Sequence, residues 1–500
     1  MYVQGKNTQD KYYIFYVKGL VNMSPKSFSV LSVILVILFC ISGSYINNFS
    51  INNNFKNKSI ETLSEDSESP SIEYTSPTKC QEYIVSKPTI KIGYSDNSGI
   101  DTSSIKLFVN YKDVTKKSTI SPNEISYVPD NKFIRGTQIV KLVLSDLSSN
   151  KNTTTAEWYF VVGTPVYSHY RGLLHSHTNA SDGHGSYSDA YYLARDKASL
   201  NFFAITEHSN LLDNNLNCNI EDASNSKKWT ELLKYRDMFN SNGTFIALNG
   251  FEMTYPYKVN NPIGHINIFN SDGFVSAEQP NMNLDNFYRL IYNQEDLIGQ
   301  FNHPCKKFGT FDNLKYSPYG DSVISLIEVG NGYNKDINKN IISFDMYQLA
   351  LDNGWHLAPT CNQDNHRVDF GIANEFRTVI LATDLTKDSL YDGMKNMRVY
   401  ATQDKNLKIE YNINDLPMGS TIRKSSKLIF SISAIDNDFD DKIEEIQVIG
   451  NNGEIIKRKS FNSNLAKLEF SLKSTKNKFY YVKVIQNNNK TSVTAPIWVK

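Results

Sequence analysis

Short runs of alternating apolar and polar residues occupy two separate parts of the chain. In residues 88–164, runs such as 105–109 and 139–144 are separated by turn sequences, and the same alternation returns in residues 405–500, for example at 428–433. A period of two is typical of half-buried strands, and strands at this spacing favour small β-sandwiches. The sequence therefore predicts two β-sandwich domains, the first of immunoglobulin-like character.

The region between them, residues 165–404, has a different pattern. Short runs that are almost wholly apolar, such as 202–205 and 323–329, are separated by stretches of helical pattern, such as 188–198 and 343–353. Apolar runs of this length are typical of parallel strands that are buried on both faces. A region of this size with alternating strands and helices predicts an α/β barrel.

The first 46 residues predict an export signal. Residues 28–41 are almost entirely apolar, Lys26 precedes them, and the small residues 42–44 follow. This length fits the apolar part of a signal peptide, and its extension towards residue 46 approaches a membrane anchor, so either outcome stays open. Residues 47–87 are rich in Asn, Ser, Glu and Pro, which predicts a disordered tether. We therefore expect an extracellular or cell-surface protein with an N-terminal membrane contact.

Composition adds two limits. The 500-residue chain has 52 basic and 52 acidic side chains, so its formal net charge is zero and there is no clear nucleic-acid surface. The cysteines lack close pairing, which favours free thiols over a disulfide framework. They are Cys40, Cys80, Cys218, Cys305 and Cys361.

Chemistry is concentrated in the central region, where histidines and carboxylates follow apolar runs. The clusters are His175-Ser176-His177, Ser181-Asp182-Gly183, Thr206-Glu207-His208, Phe251-Glu252, Gly264-His265, Asn302-His303-Pro304 and Asp364-Asn365-His366. Two histidines two positions apart on a strand point to the same side and can bind one ion. A mixed set of imidazole and carboxylate suits zinc, manganese or iron. The sequence predicts one metal site with many ligands.

These motifs, in this order, resemble the polymerase-and-histidinol-phosphatase (PHP) family of metal-dependent phosphoesterases over about residues 170–404. Within that family the chain is most similar to the CehA/McbA-like branch, at 377–382 and 397–402. Two motifs depart from the usual form: Glu207 stands where Asp is usual, and Asn365 stands where Ala is commoner. The departures bear on contacts around the metal ligands and on the fit of the substrate.

The resemblance implies a distorted (β/α)7 TIM-like barrel, flanked here by the two β-sandwiches, with two to three divalent metal ions. The implied ligand sets are His175, His177, Glu252 and Asp364 for the first ion, Glu252, His265 and His303 for the second, and Asp182, His208 and His366 for the third. A hydroxide between two ions would attack the ester, so no protein nucleophile is needed.

Several residues near the motifs have open roles. Glu252 and Asp364 are the expected catalytic carboxylates, and Arg367 and Arg377 are candidates for gripping a phosphate or carboxylate. Glu207 is either a further ligand or, because successive strand residues face opposite sides, a residue that points away from His208. Three other histidines are not expected to bind metal. His184 is either a proton shuttle or a solvated loop residue, His356 is expected to be structural, and His169 is expected at the surface.

Three functions remain open. The first is an exported hydrolase of phosphate esters that acts on a small-molecule or cell-surface substrate. The second is a metal-dependent esterase or amidase acting on a carboxyl or carbamate ester, because the resembled branch is not confined to phosphorus. The third is a surface binding protein whose barrel has lost catalysis. A complete ligand set argues against the third, and the sequence does not fix the leaving group, the metal or the oligomeric state.

Overall fold

The computed structural model describes residues 4–6, 12–14, 66–78, 81, 85–163, 166–473 and 476–500. The chain forms two compact units, Met1–Ser64 and Glu65–Lys500. In the first unit, strand β1 (Gln4–Lys6) pairs antiparallel with β2 (Tyr12–Ile14). The predicted export segment at 28–41 lies outside the described residues. Among the helices that the structure does describe, none has the length and apolar character needed to cross a bilayer.

The second unit begins with two four-stranded antiparallel sheets, in the orders β3-β4-β8-β7 and β10-β9-β5-β6. Their strands are β3 (Ser71–Ser76), β4 (Ile90–Ser95), β5 (Ile100–Val109), β6 (Lys112–Asp113), β7 (Ser118–Ile120), β8 (Glu124–Tyr127), β9 (Gly136–Asp146) and β10 (Thr153–Val162). One hydrophobic cluster takes buried residues from both sheets, among them Ile92, Leu107 and Phe160. Strand β3 lies inside the interval 47–87, which was predicted to be a disordered tether. It is ordered because it pairs antiparallel with β4.

The central region carries ten strands. They are β11 (Ser168–Leu173), β12 (Phe202–His208), β13 (Ile246–Thr254), β14 (His265–Phe269), β15 (Ile298–Asn302), β16 (Ile324–Asn331), β17 (Ile341–Ile342), β18 (Ala358–Asn362), β19 (Arg377–Ala382) and β20 (Val399–Thr402). The helices are α1 (Tyr187–Tyr192), which continues as a π-helix at Leu193–Lys197, α2 (Lys227–Phe239), α3 (Leu284–Tyr292), α4 (Pro318–Asp321), α5 (Phe344–Asn353) and α6 (Lys387–Lys395). A single turn at Phe311–Leu314 has positive φ at all four residues.

The predicted distorted (β/α)7 barrel is not evident, although the region is mixed α/β. Strands β11, β12 and β13 are parallel, but β14 is antiparallel to both of its neighbours, β13 and β15. The sheet is not closed, because β18 forms a ladder with β16 alone. On the open side of β18, side chains rather than a neighbouring strand form hydrogen bonds with the backbone. The Asn362 side chain accepts from the Leu174 amide at 2.6 Å, and the Thr378 hydroxyl is hydrogen-bonded to the backbone of Cys361.

Residues 405–500 extend the central sheet. Their strands are β21 (Lys408–Ile413), β22 (Leu416–Pro417), β23 (Thr421–Ile422), β24 (Lys427–Ile435), β25 (Ile443–Ile449), β26 (Ile455–Ser463), β27 (Leu465–Lys473), β28 (Phe479–Gln486), β29 (Thr491–Thr494) and β30 (Ile497–Val499). Strand β29 pairs antiparallel with β20, so the sheet runs on through β28, β25 and β26. One hydrophobic cluster contains Val379 and Tyr400 of the central region together with Phe430 and Val482. The two regions therefore share both a sheet and a core.

One buried carboxyl in this last part gives a prediction about pH. Asp436 is 3% exposed, and it accepts from the Asp438 amide at 2.8 Å and from the Gln486 side-chain amide at 2.9 Å. Burial, and then the negative charge of Asp404, raise the pKa of Asp436 from 3.8 to about 7. The folded state therefore holds this proton more tightly than the unfolded state, and the resulting stability is lost as pH rises from about 4 to about 7.

We expect Asp436→Asn to stabilise the protein at pH 8 and to have little effect near pH 4.5, because the amide removes a charge that is buried only at the higher pH. The Gln486 amide can rotate to present its oxygen, which has no hydrogen-bond partner in the wild type, to the new donor. Urea unfolding of both proteins at pH 4.5, 6, 7 and 8 measures the difference. A difference that does not change with pH would contradict the raised pKa.

Candidate metal centre

Six histidines and three carboxylates meet at one end of the central strands. His175 and His177 follow β11, His208 ends β12, Glu252 lies in β13, His265 begins β14, His303 follows β15, Asp364 and His366 follow β18, and Asp182 lies in the loop after His177. Strand register brings neighbours together: His208 lies opposite Glu252, and His265 lies opposite Asn302, the residue before His303. All nine predicted ligand residues are thus assembled in one place.

Glu252 is at the middle of the cluster and is fully buried. Its Oε1 lies 3.2 Å from His175 Nε2, 3.3 Å from His265 Nδ1 and 3.5 Å from His303 Nε2. Its Oε2 lies 2.5 Å from His208 Nδ1. A single carboxylate therefore contacts four imidazoles through two oxygens, which is the geometry of a bridging ligand.

Asp364 completes the deep part of the cluster. Its Oδ1 lies 3.1 Å from His177 Nε2 and 3.3 Å from His175 Nε2, and these two ring nitrogens are 3.1 Å apart. Both His303 and Asp364 have positive φ, 30° and 47°; His303 is the first residue after β15 and Asp364 the second after β18. Non-glycine residues in this strained region concentrate at functional sites, where the surrounding structure holds them.

A second, more open group lies on the other side of His177. Asp182 Oδ1 is 3.2 Å from His366 Nε2 and 3.5 Å from His208 Nε2. The side chains of Asp182 and His366 are 48% and 27% exposed, whereas those of His175 and Glu252 are 0% exposed. The cluster therefore has a buried part and a part that faces solvent.

The charges in the cluster suit cation binding. Burial opposes the ionisation of Glu252, but His265, His208 and His175 outweigh it and hold the pKa of that carboxyl well below its usual range. Burial likewise opposes ionisation of Asp364, and His175 and His177 hold its pKa well below the usual range. Burial, followed by the charge of His208, lowers the pKa of His177 to about 3. The carboxylates are anionic and His177 is neutral, as metal ligands must be. Burial opposes protonation of His366, but its hydrogen bond to Asp182 outweighs burial and raises its pKa to about 9, so an ion that binds there must displace this proton.

The donor set passes a test of fit to divalent ions. Four of the groups of three or more ligand atoms that lie within 4.8 Å of one another fall in this cluster: His177, Asp182, His208 and His366; His175, His303 and Asp364; His175, His177 and Glu252; and His208, Glu252 and His265. His265 Nδ1 is buried and makes no hydrogen bond although it lies 3.3 Å from Glu252 Oε1. His265 Nδ1 could therefore share an ion with Glu252 Oε1, which also accepts from the Asn302 side-chain amide at 2.7 Å. Imidazole with carboxylate suits zinc, manganese or iron.

The sequence analysis missed Glu328, which is fully buried in β16. Its Oε1 lies 2.9 Å from His175 Nδ1, and its Oε2 accepts from the His303 amide at 2.8 Å. A carboxylate on the far nitrogen of a ligand histidine fixes the orientation and tautomer of the ring. The only signal in the sequence was one acidic residue in an otherwise apolar strand.

Glu207 is turned towards the loop that carries Asp182. It accepts from the Thr178 amide at 2.9 Å and from the Thr178 hydroxyl at 2.5 Å, and it also accepts from the Ser181 hydroxyl. Burial raises the pKa of Glu207. Of the two readings of this residue, the structure favours the one in which it points away from His208.

The two predicted substrate-gripping arginines have different surroundings. Arg377 is buried and donates to the carbonyls of Gly371, Asn374 and Phe376 at 3.1, 3.1 and 2.7 Å. These backbone bonds use three of its N–H donors, and its predicted role in gripping substrate stays a prediction. Arg367, which directly follows His366 in the sequence, is exposed. Its guanidinium lies 4.7 Å from the centre of the Tyr333 ring. It remains a candidate.

The remaining histidines lie outside the cluster. His184 is exposed, and its amide donates to the His366 carbonyl at 3.1 Å. His356 is bonded to Asp321 through its amide and through Nδ1, at 2.7 and 2.9 Å, which fits a structural role. His169 was predicted at the surface, but it is half-buried and lies 3.1 Å from the Tyr400 hydroxyl. The described cysteines, Cys218, Cys305 and Cys361, are free thiols.

Comparison with known proteins gives weak similarities. No family model matches the chain. An uncharacterized protein of Chlamydia pneumoniae is 22% identical over 376 residues, which are 66% of this chain and 57% of that protein, so the chain spans little more than half of that relative's length.

Solved structures add two low similarities. A two-domain protein from Bacteroides vulgatus, described as containing a predicted PHP-like metal-dependent phosphoesterase, is 16% identical, with a match that covers 64% of this chain and 91% of that one at a TM-score of 0.37. CopC from Methylosinus trichosporium is also 16% identical, over 19% of this chain and 92% of that one, at a TM-score of 0.15. Similarities this low establish neither the fold nor the family.

Proposed function

We propose that the protein is a metal-dependent hydrolase of phosphate esters, of the PHP type that its motifs resemble. The observation that carries the proposal is the bridging geometry of Glu252, a fully buried carboxylate within 3.5 Å of four imidazoles. Asp364 and Asp182 add two further carboxylates beside it. Three carboxylates and six histidines in contact suit two to three divalent ions.

The surroundings assign roles to the protein's own residues. Divalent ions bound here would lower the pKa of water and neutralise negative charge on an ester oxygen. Glu252 and Asp364 would hold the ions in the buried part, where water is excluded and electrostatic attraction is stronger. Substrate would enter from the side of Asp182 and His366, which is the exposed side. Arg367, next to His366, would contact a non-bridging oxygen of the phosphate.

Hydrolysis of a carboxyl or carbamate ester is the second candidate. One observation favours it: of the two arginines expected to grip a phosphate or carboxylate, Arg377 donates to three backbone carbonyls, which leaves less positive charge for a phosphate. Arg367 is then the single cation among the described residues that directly adjoins a predicted ligand on the exposed side. A substrate with less negative charge than a phosphate would need no more than this.

The location of the protein is also a proposal. The apolar run at 28–41, preceded by Lys26, supports export and display outside the membrane. We expect the native protein in the membrane or extracellular fraction of its cell. Recovery in the cytosol would contradict export without bearing on the hydrolase activity.

Metal analysis combined with a substrate panel tests the main proposal. We expect the purified protein to hold two to three equivalents of zinc, manganese or iron, and to hydrolyse chromogenic phosphate mono- or diesters faster than carboxyl esters. Faster hydrolysis of carboxyl esters would select the second candidate. Less than one equivalent of metal in a folded protein after reconstitution would overturn both.

A further inference from the structure

The cluster is divided by exposure, and each part has its own supporting carboxylate. In the buried part, His175 and Glu252 are inaccessible to solvent, and in the exposed part the Asp182 side chain is 48% exposed. Ions in these two environments would differ in access to solvent and chelators. Glu328 and Glu207 are two fully buried carboxylates that support different parts.

Glu328 supports the buried part alone. It contacts His175 Nδ1 at 2.9 Å and the His303 amide at 2.8 Å, and it is held in turn by the side-chain amides of Asn362 and Asn331 at 2.9 and 2.8 Å. None of these contacts reaches Asp182 or His366. Loss of the Glu328 charge would therefore disturb the ring of His175 and leave the exposed part intact.

Glu207 supports the loop that carries Asp182 into the exposed part. It is bonded to Thr178 and Ser181, the residues that form the tight turn between His177 and Asp182. That turn is closely packed, since a Cβ on Gly183 would lie 2.4 Å from the His177 carbonyl oxygen. Glu207 and His208 are successive residues of β12 and therefore face opposite sides of the sheet. His208 faces the ion cluster, and Glu207 faces the loop that carries Asp182. Glu207 thereby fixes how far Asp182 stands from His208.

We propose that the centre loads its ions in two parts that differ in access to solvent: a buried part supported by Glu328, and an exposed site, formed by Asp182, His208 and His366, that Glu207 supports and that exchanges its ion with solvent. The two parts meet where His208 contacts Glu252. The inference rests on the proposed metal centre and adds which residues control each part. Glu207 and Glu328 are positioning residues, because both act on ions through other side chains. Exchange at the exposed site would let the free concentration of one divalent ion control activity while the buried part stays loaded.

The test is a titration of metal-free full-length protein with Zn²⁺, and separately with Mn²⁺, against a competing chelator. Wild type is expected to show a tight class of sites and one weaker, faster-exchanging equivalent. Glu207→Gln should weaken chiefly that equivalent, by roughly 10- to 100-fold, and Glu328→Gln should weaken chiefly the tight class by a similar factor. Glu207→Asp keeps the negative charge and should restore part of the lost affinity.

The outcomes separate the inference from the proposed function. Equal weakening of all sites by Glu207→Gln, or no weakening in a folded variant, would overturn the division. Thermal unfolding of the metal-free proteins identifies a variant that fails to fold, and Glu207→Asp then replaces Glu207→Gln as the deciding variant. If wild type binds ions in two classes but hydrolyses no ester, the proposed function fails and the division stands.

Discussion

Glu252→Gln is expected to lower the rate of ester hydrolysis by about a hundredfold or more while the chain still folds. The substitution keeps the size of the side chain and removes the charge that two ions would share. Since Glu252 contacts His175, His208, His265 and His303, ion binding should weaken in both parts of the centre. Measured kcat at saturating metal, together with metal content, checks the effect.

A matched control separates this effect from a general effect of Glu-to-Gln replacement. Glu231 is exposed on α2 and lies outside the ligand cluster. Glu231→Gln should keep wild-type kcat, metal content and unfolding temperature. If Glu252→Gln kept most of its activity with its ions bound, Glu252 would not be the shared ligand.

The candidate site could be located from the sequence because its residues follow strand ends. Two residues that are two positions apart on a strand, such as His175 and His177, point to the same face of the sheet. The end of each apolar run predicts where its strand ends. What the sequence could not supply was the partner of each ligand, since Glu252 meets His208 and His265 through strand register. Glu328 was missed for the same reason: its role depends on the contact with His175, 153 positions away.

Strand periodicity located individual strands better than it located sheets. The alternating runs at 105–109, 139–144 and 428–433 all lie within strands, since period two reports which face is buried. Periodicity does not report the neighbouring strand. On the open side of β18, the side chains of Asn362 and Thr378 form the hydrogen bonds that a neighbouring strand would otherwise form. No local sequence pattern predicts such a substitution of side chains for a strand.

The boundary at residue 404 illustrates the same limit. The change from a mixed strand and helix pattern to alternating apolar and polar residues predicts a new domain there. The alternating runs do form strands. The structure joins the two regions because β29 pairs with β20 and because Lys490 forms an ion pair with Asp404 at 2.7 Å. Pairing across about 90 residues is a property of the folded chain, so composition and periodicity cannot reveal it.

A chain that ends at Asp404 is therefore expected to be insoluble or largely unfolded, although it keeps every predicted metal ligand. Its edge strand β20 would lose β29, and Val379 and Tyr400, which are fully buried in the cluster shared with residues 405–500, would lose much of their cover. Full burial of one large apolar side chain stabilises a protein by about 1.5–3 kcal/mol, so exposure of several costs as much as the roughly 5–15 kcal/mol that holds a typical domain together.

Soluble yield, thermal unfolding and bound metal, compared between residues 65–404 and residues 65–500, measure this dependence. The longer chain is expected to unfold cooperatively and to hold its ions, because it contains the whole second compact unit. A milder variant avoids complete loss of the protein: Val493→Asp places a charge at a buried position of β29, opposite Ala401 of β20, and should lower the unfolding temperature sharply. A soluble 65–404 chain that binds two or more equivalents of metal would show that the central region folds alone and that the shared sheet is dispensable for the site.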